Sequence, residues 1–218
     1  KNSSAKALDN IEHVGATKLH KEGVTGKGIK VGVIDTGIDY THPDLKDVYK
    51  GGFDFANNDT DPMETTYEDW KISNEPEFNP LSKASYWTNH GTHVSGIIAG
   101  TGKNSSDFAI AGVAPEVELY GYKVLGPYGS GLSSVIMAGI DEAVKDKMDV
   151  INLSLGSDVT DPLNPLSVAI NNATLAGTVA VLAAGNDGAA YTIGNPASSP
   201  LGITVGATSS PVSVETSN

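Results

Sequence analysis

The chain contains no cysteine, few basic residues and no long apolar run. Without cysteine the fold cannot depend on disulfide bonds, and thiol chemistry and thiolate metal sites are excluded. Its 14 Lys and Arg residues against 26 Asp and Glu residues give a net charge of −12. This charge argues against nucleic acid as a partner, because phosphate binding needs a basic face. No apolar stretch reaches the roughly 18 residues of a membrane-spanning helix, so we expect no membrane partner.

Glycine is abundant, at 25 of 218 residues, and short apolar runs recur along the chain. The length suits one domain. The runs that predict buried strands are Ile29–Ile34, Val117–Val124, Val150–Leu155, Thr178–Ala183 and Ile203–Val205. Helical patterns lie between them at Leu132–Lys147 and Leu166–Ala176, and the acidic, aperiodic stretch Gly51–Asn89 is predicted as surface loops. Continuous apolar strands alternating with helices predict an α/β fold with a mainly parallel central sheet flanked by helices.

Three segments directly follow predicted strands: Asp35-Thr36-Gly37, Ser154-Leu155-Gly156 and Ala184-Gly185-Asn186. Binding sites of parallel sheets lie outside the carboxyl ends of the strands, so we expect these segments to meet. Asp35 either closes a turn, as Asp-Thr-Gly commonly does, or presents a carboxylate to an imidazole N–H. Asn186 is either a turn residue or a donor to a developing oxyanion.

The segment His90-Gly91-Thr92-His93 begins a predicted helix, with His90 at its start and His93 one turn deeper on the same face. Zinc binding of the H-E-x-x-H type is disfavoured, because glycine stands at the second position. Imidazole is the natural general base near neutral pH, so we predict that His90 is the base and that His93 is structural. The glycine-rich segment 125–131 fits neither common phosphate-binding pattern, which disfavours a nucleotide-binding enzyme.

Together these segments resemble the subtilisin-like serine proteases, the subtilase family. The matching motifs, in the family's order, are Val33-Ile34-Asp35-Thr36-Gly37, His90-Gly91-Thr92-His93-Val94-Ser95-Gly96, Ser154-Leu155-Gly156 and Ala184-Gly185-Asn186. The resemblance covers about residues 26–207 and implies a three-layer subtilisin-like fold. It also implies a serine endopeptidase that hydrolyses peptide bonds through an acyl-enzyme, with Asp35 as the triad acid, His90 as the base and Asn186 as the oxyanion donor.

The same resemblance implies a set of substrate-binding residues. The walls of the pocket for the residue preceding the scissile bond are Ser154, Leu155 and Gly156 on one side and Ala183, Ala184 and Gly185 on the other. Small walls predict an open pocket for large apolar side chains. The segment expected to pair with an extended peptide backbone contains Leu125, Gly126, Gly129, Ser130 and Gly131. The implied partners are a protein or peptide substrate and a propeptide inhibitor.

Structural calcium is implied at two places. One is a short loop that alternates oxygen ligands, formed by Asp54, Asn57, Asp59 and Asp61, where some family members bind calcium. A solvated acidic loop is the alternative reading of this pattern. The other place is Asp44, which matches a ligand of the family's strong calcium site, although its partner loop at residues 102–110 departs in length from the family's pattern.

The family's nucleophile lies in a Gly-Thr-Ser-Met-Ala segment, which does not occur in the chain, and no G-x-S-x-G elbow occurs either. We therefore expect a fragment. Residues 1–25 would be the N-terminal segment of the mature protease, 26–208 the first part of the catalytic domain, and 209–218 a polar tail at the junction to an inserted protease-associated domain. A complementing C-terminal fragment would carry the serine. The alternative is a pseudoprotease that keeps the cleft as a binding module. The family also implies secretion.

Overall fold

The computed structural model describes residues 10–105, 109 and 111–208. Its strands are β1 (Lys30–Asp35), β2 (Tyr49–Asp54), β3 (Glu118–Lys123), β4 (Val150–Leu153), β5 (Val179–Ala183) and β6 (Ile203–Val205). Its α-helices are α1 (Asn10–His13), α2 (Ala16–Lys21), α3 (Tyr67–Ser73), α4 (His90–Ala99), α5 (Ser133–Lys145) and α6 (Pro165–Leu175), with a 3₁₀ turn at Pro127–Gly129. The predicted tail at 209–218 lies outside the described residues, as does part of the loop at 102–110.

The strands form a parallel sheet in the order β2-β3-β1-β4-β5-β6. β1 lies inside the sheet, and all of its residues after Lys30 are buried. A strand that is covered on both faces is apolar throughout rather than alternating, which explains the continuous run at its position in the sequence. The predicted α/β fold with a parallel central sheet is confirmed. In the described part of the chain, none of the helices is long and apolar enough to cross a membrane.

Two apolar clusters form the core, one on each face of the sheet. Neighbouring residues of β1 point to opposite faces, so Ile34 belongs to one cluster and Val33 to the other. Helices α5 and α6 contribute Ile140 and Ile170 to the first cluster, while α4 contributes Ala99 to the second. The sheet is therefore held between helices, and this arrangement leaves the carboxyl ends of its strands open.

β1, β4 and β5 are neighbours that run in the same direction. Their carboxyl ends therefore lie side by side at one edge of the sheet. The three predicted segments follow these strands directly: Asp35-Thr36-Gly37, Ser154-Leu155-Gly156 and Ala184-Gly185-Asn186. The expectation that they meet at the strand ends is confirmed by this topology.

Two elements inside the predicted loop region 51–89 differ from the expectation. β2 pairs with β3 across Gly51 and Gly52, and these glycines hide the apolar pattern of a strand. A Cβ on Gly52 would lie 1.8 Å from the carbonyl oxygen of Gly121, so the close approach of the two strands requires glycine. Helix α3 begins with a capping box between Thr66 and Asp69, a signal that the sequence does contain.

Residues 65–88 are here called the aromatic loop, because their aromatic side chains pack against one another. Tyr67 contacts Trp70 and Trp87 with ring centroids 5.0 Å apart in each pair, and Phe78 lies 5.7 Å from Trp87. Offset and edge-to-face ring pairs at these separations are favourable. The loop is tied to the neighbouring segment by the hydroxyl of Tyr128, which donates to the carbonyl oxygen of residue 76 at 2.5 Å.

The close packing of α4 on the end of β1 yields a stability prediction. A Cβ on Gly91 would lie 2.1 Å from the carbonyl oxygen of Gly37, whereas a Cβ on Gly96 meets nothing within 4 Å. We expect Gly91→Ala to lower the free energy of unfolding by about 1–3 kcal/mol through overpacking. Gly96→Ala, the matched control on the same helix, should raise it by up to about 1 kcal/mol through helix propensity. Denaturant unfolding measures both, and equal effects would contradict the prediction.

Candidate active site

The pair formed by Asp35 and His90 is the centre of the site. Asp35 ends β1 with its side chain fully buried, whereas the side chain of His90, the first residue of α4, is half exposed. His90 Nδ1 lies 2.8 Å from Asp35 Oδ1. A carboxylate on Nδ1 fixes the orientation and tautomer of the ring and leaves Nε2 as the nitrogen that can accept a proton.

The turn after β1 holds both members of this pair. The backbone N–H of Thr36 donates to Asp35 Oδ1 at 2.7 Å, and the backbone N–H of Gly91 donates to the hydroxyl of Thr36 at 2.9 Å. The same turn therefore positions the carboxylate and the start of the helix that carries the imidazole. The Asp-Thr-Gly motif serves the site through its threonine side chain as well as through its aspartate.

Glu64 is a site residue that the sequence-based reasoning missed. Its Oε1 accepts from the backbone N–H of Thr92 at 2.8 Å, and its Oε2 accepts from the hydroxyl of Thr88 at 2.6 Å. Asn89, at the N-cap of α4, makes no side-chain cap of its own, so the buried carboxylate of Glu64 takes that role. A negative charge at a helix N-terminus is favourable, and here it also fixes the first turn of the helix.

The pKa of His90 is raised above its ordinary value of 6.5. The largest cause is the hydrogen bond to Asp35, to which the negative charges of Asp35 and Glu64 add, while partial burial of the ring opposes them. All three favourable contributions stabilise the imidazolium, the form that a general base reaches when it takes a proton.

A cavity of about 480 Å³ opens beside the pair. Its lining includes His90, Thr36, the segment Gly129–Gly131 and the segment Ser154–Gly156. Leu125 also lines it, whereas Gly126 is buried and closes a turn by donating its N–H to the carbonyl oxygen of Ser130 at 2.8 Å. The candidate base therefore lies between one predicted pocket wall and most of the residues predicted to pair with a peptide backbone. Gly126 does not line the cavity but stabilises the turn that carries these residues.

A second cavity of about 190 Å³ adjoins the first and shares residues Ser154–Ser157 and Asn195 with it. It lies between the two predicted walls, Ser154–Gly156 and Ala183–Gly185, and Asn186 also lines it. The structure therefore brings the predicted oxyanion donor to the same edge of the sheet as the candidate base. The contribution of Asn195 to both cavities was not anticipated from the sequence.

The two histidines of helix α4, His90 and His93, differ in their side-chain contacts. In the described residues, the side chain of His90 is hydrogen-bonded to the carboxylate of Asp35 and to no hydroxyl group. His93 is exposed, and its side chain makes no hydrogen bond within the described part of the chain. The expected structural role of His93 is therefore not supported by its contacts, and it serves better as a control residue.

Among the described residues, the carboxylate of Asp44 is contacted mainly by N–H donors. Its Oδ1 accepts the backbone N–H groups of Lys103 and Asn104 at 2.7 and 2.8 Å, and its Oδ2 accepts from the side-chain amide of Asn104. Burial alone would raise the pKa of Asp44, but these donors outweigh it and lower the pKa. Calcium requires oxygen ligands, so these contacts within the described residues do not support a calcium site at Asp44.

The acidic loop also differs from a calcium cage. Asp54, Asn57, Asp59 and Asp61 do line one common cavity of about 610 Å³. However, Asp54 accepts from both the backbone N–H and the side-chain amide of Asn57, each at 2.8 Å, and it lies 3.7 Å from the ammonium of Lys123. No group of three or more His, Asp or Glu side chains in the described residues is arranged to hold a metal. Both predicted calcium sites therefore lack support from the described contacts.

Comparison with known proteins places this geometry in a family. The model of the Subtilase family matches residues 26–218. The chain belongs to the subtilase family. It is 44% identical over 208 residues to the minor extracellular protease Vpr of Bacillus subtilis (strain 168), covering 94% of this chain and 23% of that protein. It is 38% identical over 203 residues to subtilisin E of the same organism, covering 92% of this chain and 46% of that protein.

A solved structure shares the fold of this subtilase. The crystal structure of a cold-adapted subtilisin-like serine proteinase matches it with a TM-score of 0.65 and 31% sequence identity, covering 85% of this chain and 56% of that one. The subtilisin-like architecture expected from the motifs is thereby confirmed. The chain spans less than half the length of each of these two curated relatives.

The raised pKa of His90 can be measured directly. NMR titration should give a lower pKa for His90 in Asp35→Asn than in the unaltered protein, because the main cause of the rise is removed. A raised pKa in the folded state means that the protonated pair stabilises the fold fully below the unfolded value near 6.5 and that this contribution is lost as pH rises through the folded value. The resonances of His93 provide an internal control. An unchanged pKa of His90 in Asp35→Asn would refute the assignment.

The buried contact between Lys123 and Asp54 predicts a large effect of charge removal. Lys123 also donates to the carbonyl oxygen of Met63 at 2.7 Å. Lys123→Met should lower the free energy of unfolding by about 3–5 kcal/mol, because it leaves a buried carboxylate without its counter-charge. Lys145→Met, which breaks an exposed pair with Glu142, is the control and should cost at most about 1 kcal/mol. Recovery of the melting temperature of Lys123→Met on adding calcium would show instead that the acidic loop accepts a cation.

Proposed function

We propose that the chain forms the acid, base and oxyanion parts of a serine endopeptidase active site. The observation that carries the proposal is the 2.8 Å contact between His90 Nδ1 and the buried Asp35 carboxylate, at the rim of a cleft lined by Gly129–Gly131 and Ser154–Gly156. Membership of the subtilase family supports it. A half-exposed imidazole held by a buried carboxylate is suited to taking a proton from a hydroxyl nucleophile.

In the first half of the reaction, His90 Nε2 takes the proton of the serine hydroxyl as the serine oxygen attacks the peptide carbonyl carbon. The carbonyl oxygen gains negative charge and accepts hydrogen bonds from the side-chain amide of Asn186 and a backbone N–H. Asp35 remains ionised and stabilises the imidazolium. The C–N bond then breaks, and the imidazolium gives its proton to the leaving amine, which leaves an acyl-enzyme.

In the second half, a water molecule gives a proton to His90 and attacks the acyl carbon. The same donors hold the oxyanion, and collapse of the intermediate returns the proton to the serine oxygen and releases the new carboxyl group. The substrate backbone lies extended along Gly129–Gly131, with the side chain preceding the scissile bond between Ser154–Gly156 and Ala183–Gly185. Protein or peptide chains are accordingly the substrate class.

We place the nucleophilic serine on a part of the protein outside these 218 residues. The length of the relatives supports this placement, since the chain covers 46% of subtilisin E and 23% of Vpr. The complementing C-terminal part would bind at the same edge of the sheet. We also propose a propeptide inhibitor as a partner and a secreted location, in line with the name of the extracellular relative.

The proposed roles predict graded losses of activity in the full-length protein. Expected reductions in kcat are about 10⁶-fold for His90→Ala, about 10⁴-fold for Asp35→Asn and about 10²–10³-fold for Asn186→Ala. These magnitudes come from serine proteases of this mechanism, including subtilisin itself. His93→Ala, the control on the same helix, should retain activity because His93 is exposed. Hydrolysis of a chromogenic peptide measures all four.

A fluorophosphonate probe tests the nucleophile independently of the choice of peptide. Full-length protein should be labelled, and labelling should fall sharply in His90→Ala but persist in His93→Ala. A folded full-length protein that binds peptide yet is neither labelled nor active would instead be a pseudoprotease, which would refute the proposed function.

A further inference from the structure

Tyr128 has a backbone conformation that is rare for a bulky residue, and it directly precedes the residues expected to pair with a substrate. Its φ is 61° and its ψ is 12°, which places it in the left-handed region. A bulky residue in this region is an outlier, and such a conformation persists only where the surrounding structure holds it in place. The contacts of Tyr128 therefore show what holds the neighbouring residues 129–131, here called the substrate-pairing segment.

Tyr128 lies in the middle of a turn whose other hydrogen bonds are local. The N–H of Gly126 donates to the carbonyl oxygen of Ser130 at 2.8 Å, and the carbonyl oxygen of Gly126 accepts from the N–H of Gly129 at 3.1 Å. Within the described part of the chain, the hydrogen bonds that join residues 126–131 to the rest of the protein are all made by Tyr128. Tyr128 thus attaches both the turn and the substrate-pairing segment to their surroundings.

The aromatic loop supplies the contacts that hold Tyr128. The N–H of Tyr128 donates to the carbonyl oxygen of Tyr86 at 3.1 Å, and its hydroxyl donates to the carbonyl oxygen of Pro76 at 2.5 Å. The rings of Tyr128 and Tyr86 meet edge to face with their centroids 5.3 Å apart. Residues 76–87 form a hairpin, in which the N–H of Tyr86 donates to the carbonyl oxygen of Glu77 at 2.9 Å. Tyr128 therefore contacts both arms of this hairpin.

The substrate-pairing segment has backbone groups that are free to bind a peptide. In the described residues, the N–H of Gly131 and the carbonyl oxygens of Gly129 and Gly131 take part in no hydrogen bond. Ser130 between them is extended, with φ −114° and ψ 148°, and all three residues line the cavity beside His90. A peptide pairs with such groups as an added strand. If the segment were not already ordered, part of the binding free energy would be used to order it.

We propose that Tyr128 is a positioning residue through which the hairpin of the aromatic loop holds the substrate-pairing segment in its peptide-binding conformation. This inference rests on the proposed endopeptidase function. Neither Tyr128 nor Tyr86 lines the cavity beside His90, so the effect passes through the backbone rather than through a contact with the substrate. Substrate residues that reach the segment gain affinity from a partner that is ordered in advance, whereas the residue at the scissile bond does not.

The test compares two substrates of the full-length protein that share the residue preceding the scissile bond. N-succinyl-Ala-Ala-Pro-Phe p-nitroanilide extends along the substrate-pairing segment, whereas N-acetyl-Phe p-nitroanilide has no further residues to pair with it. In Tyr128→Ala we expect kcat/KM for the long substrate to fall about tenfold. The loss should lie in KM, because the segment binds substrate and transition state equally, and the short substrate should be unaffected. Equal losses for both substrates, or no loss for the long one, would overturn the proposal.

A conservative variant separates the hydroxyl of Tyr128 from its ring. Tyr128→Phe keeps the ring contact with Tyr86 but loses the hydrogen bond to the carbonyl oxygen of Pro76. The ratio of kcat/KM for the long substrate to that for the short one should therefore fall about threefold, the lower end of the effect of one hydrogen bond. This variant decides the matter even if Tyr128→Ala does not fold, since an unchanged ratio in Tyr128→Phe overturns the proposal.

Tyr191→Ala is the matched control. Tyr191 is also a tyrosine in the left-handed region, with φ 63°, but it is 99% exposed, so the ratio should not change. Tyr86→Ala removes the partner ring and should lower the ratio, and the double variant Tyr86→Ala/Tyr128→Ala should lower it no further than Tyr128→Ala does, because the two residues act as one unit. Additive losses, or an equal loss in Tyr191→Ala, would contradict the proposal.

Failure of this inference and failure of the proposed function have different signatures. A protein that cleaves both substrates and is labelled by the fluorophosphonate, but whose ratio is unchanged in the Tyr128 variants, refutes the role of Tyr128 alone. A folded full-length protein that cleaves neither substrate and is not labelled refutes both.

Discussion

The close approach of α4 to the end of β1 is the contact on which the rest of the site depends. The N–H of Gly91 reaches the hydroxyl of Thr36, and no Cβ would fit between the helix and Gly37. At this separation the ring of His90 reaches the buried carboxylate of Asp35. The carbonyl oxygen of Asp35 also accepts from the N–H groups of residues 124 and 125 at 2.9 and 3.2 Å. One strand end therefore carries the acid, supports the base and starts the segment that lines the cleft.

The elements around the contact between α4 and β1 differ in how well they can be predicted from the sequence. The order of β1, β4 and β5 and the residues after them follow from apolar runs and from the geometry of parallel sheets. The role of Glu64 cannot be predicted from such local patterns, because it depends on contacts with Thr88 and Thr92, which lie 24 and 28 residues away in the sequence. The glycines of β2 hide the apolar pattern of a strand, whereas the start of α3 is marked in the sequence by a capping box. Local sequence patterns therefore predict the strands and the segments that follow them, whereas the residues that support the site through contacts distant in the sequence are not predicted.

Charge and polarity are the features for which composition alone was least informative. Oxygen-rich side chains suggested cation sites, yet Asp44 is surrounded by N–H donors and Asp54 by a lysine ammonium and an asparagine amide. The small residues of the two predicted pocket walls likewise gave no sign that Asn195 lines both cavities. Asn195 reaches the cavity through its backbone bridge to Ser157, 38 residues earlier, and no local pattern announces such a bridge. The function of a polar side chain depends more on the groups that surround it than on the residue type.

The first and last residues of the aromatic loop, Thr65 and Thr88, are hydrogen-bonded to each other. The N–H of Thr65 donates to the hydroxyl of Thr88 at 3.0 Å, and the N–H of Thr88 donates to the carbonyl oxygen of Thr65 at 2.8 Å. For a flexible segment whose ends are held together, doubling the length costs only about 0.6 kcal/mol of closure entropy, whereas this segment is also held by its aromatic contacts and by Tyr128. The hydrogen bonds between the two threonines hold the ends of this segment in place next to the catalytic pair. The residues between them can therefore vary in length and sequence with little effect on that pair, so this segment is a suitable place to alter the surface beside the cleft.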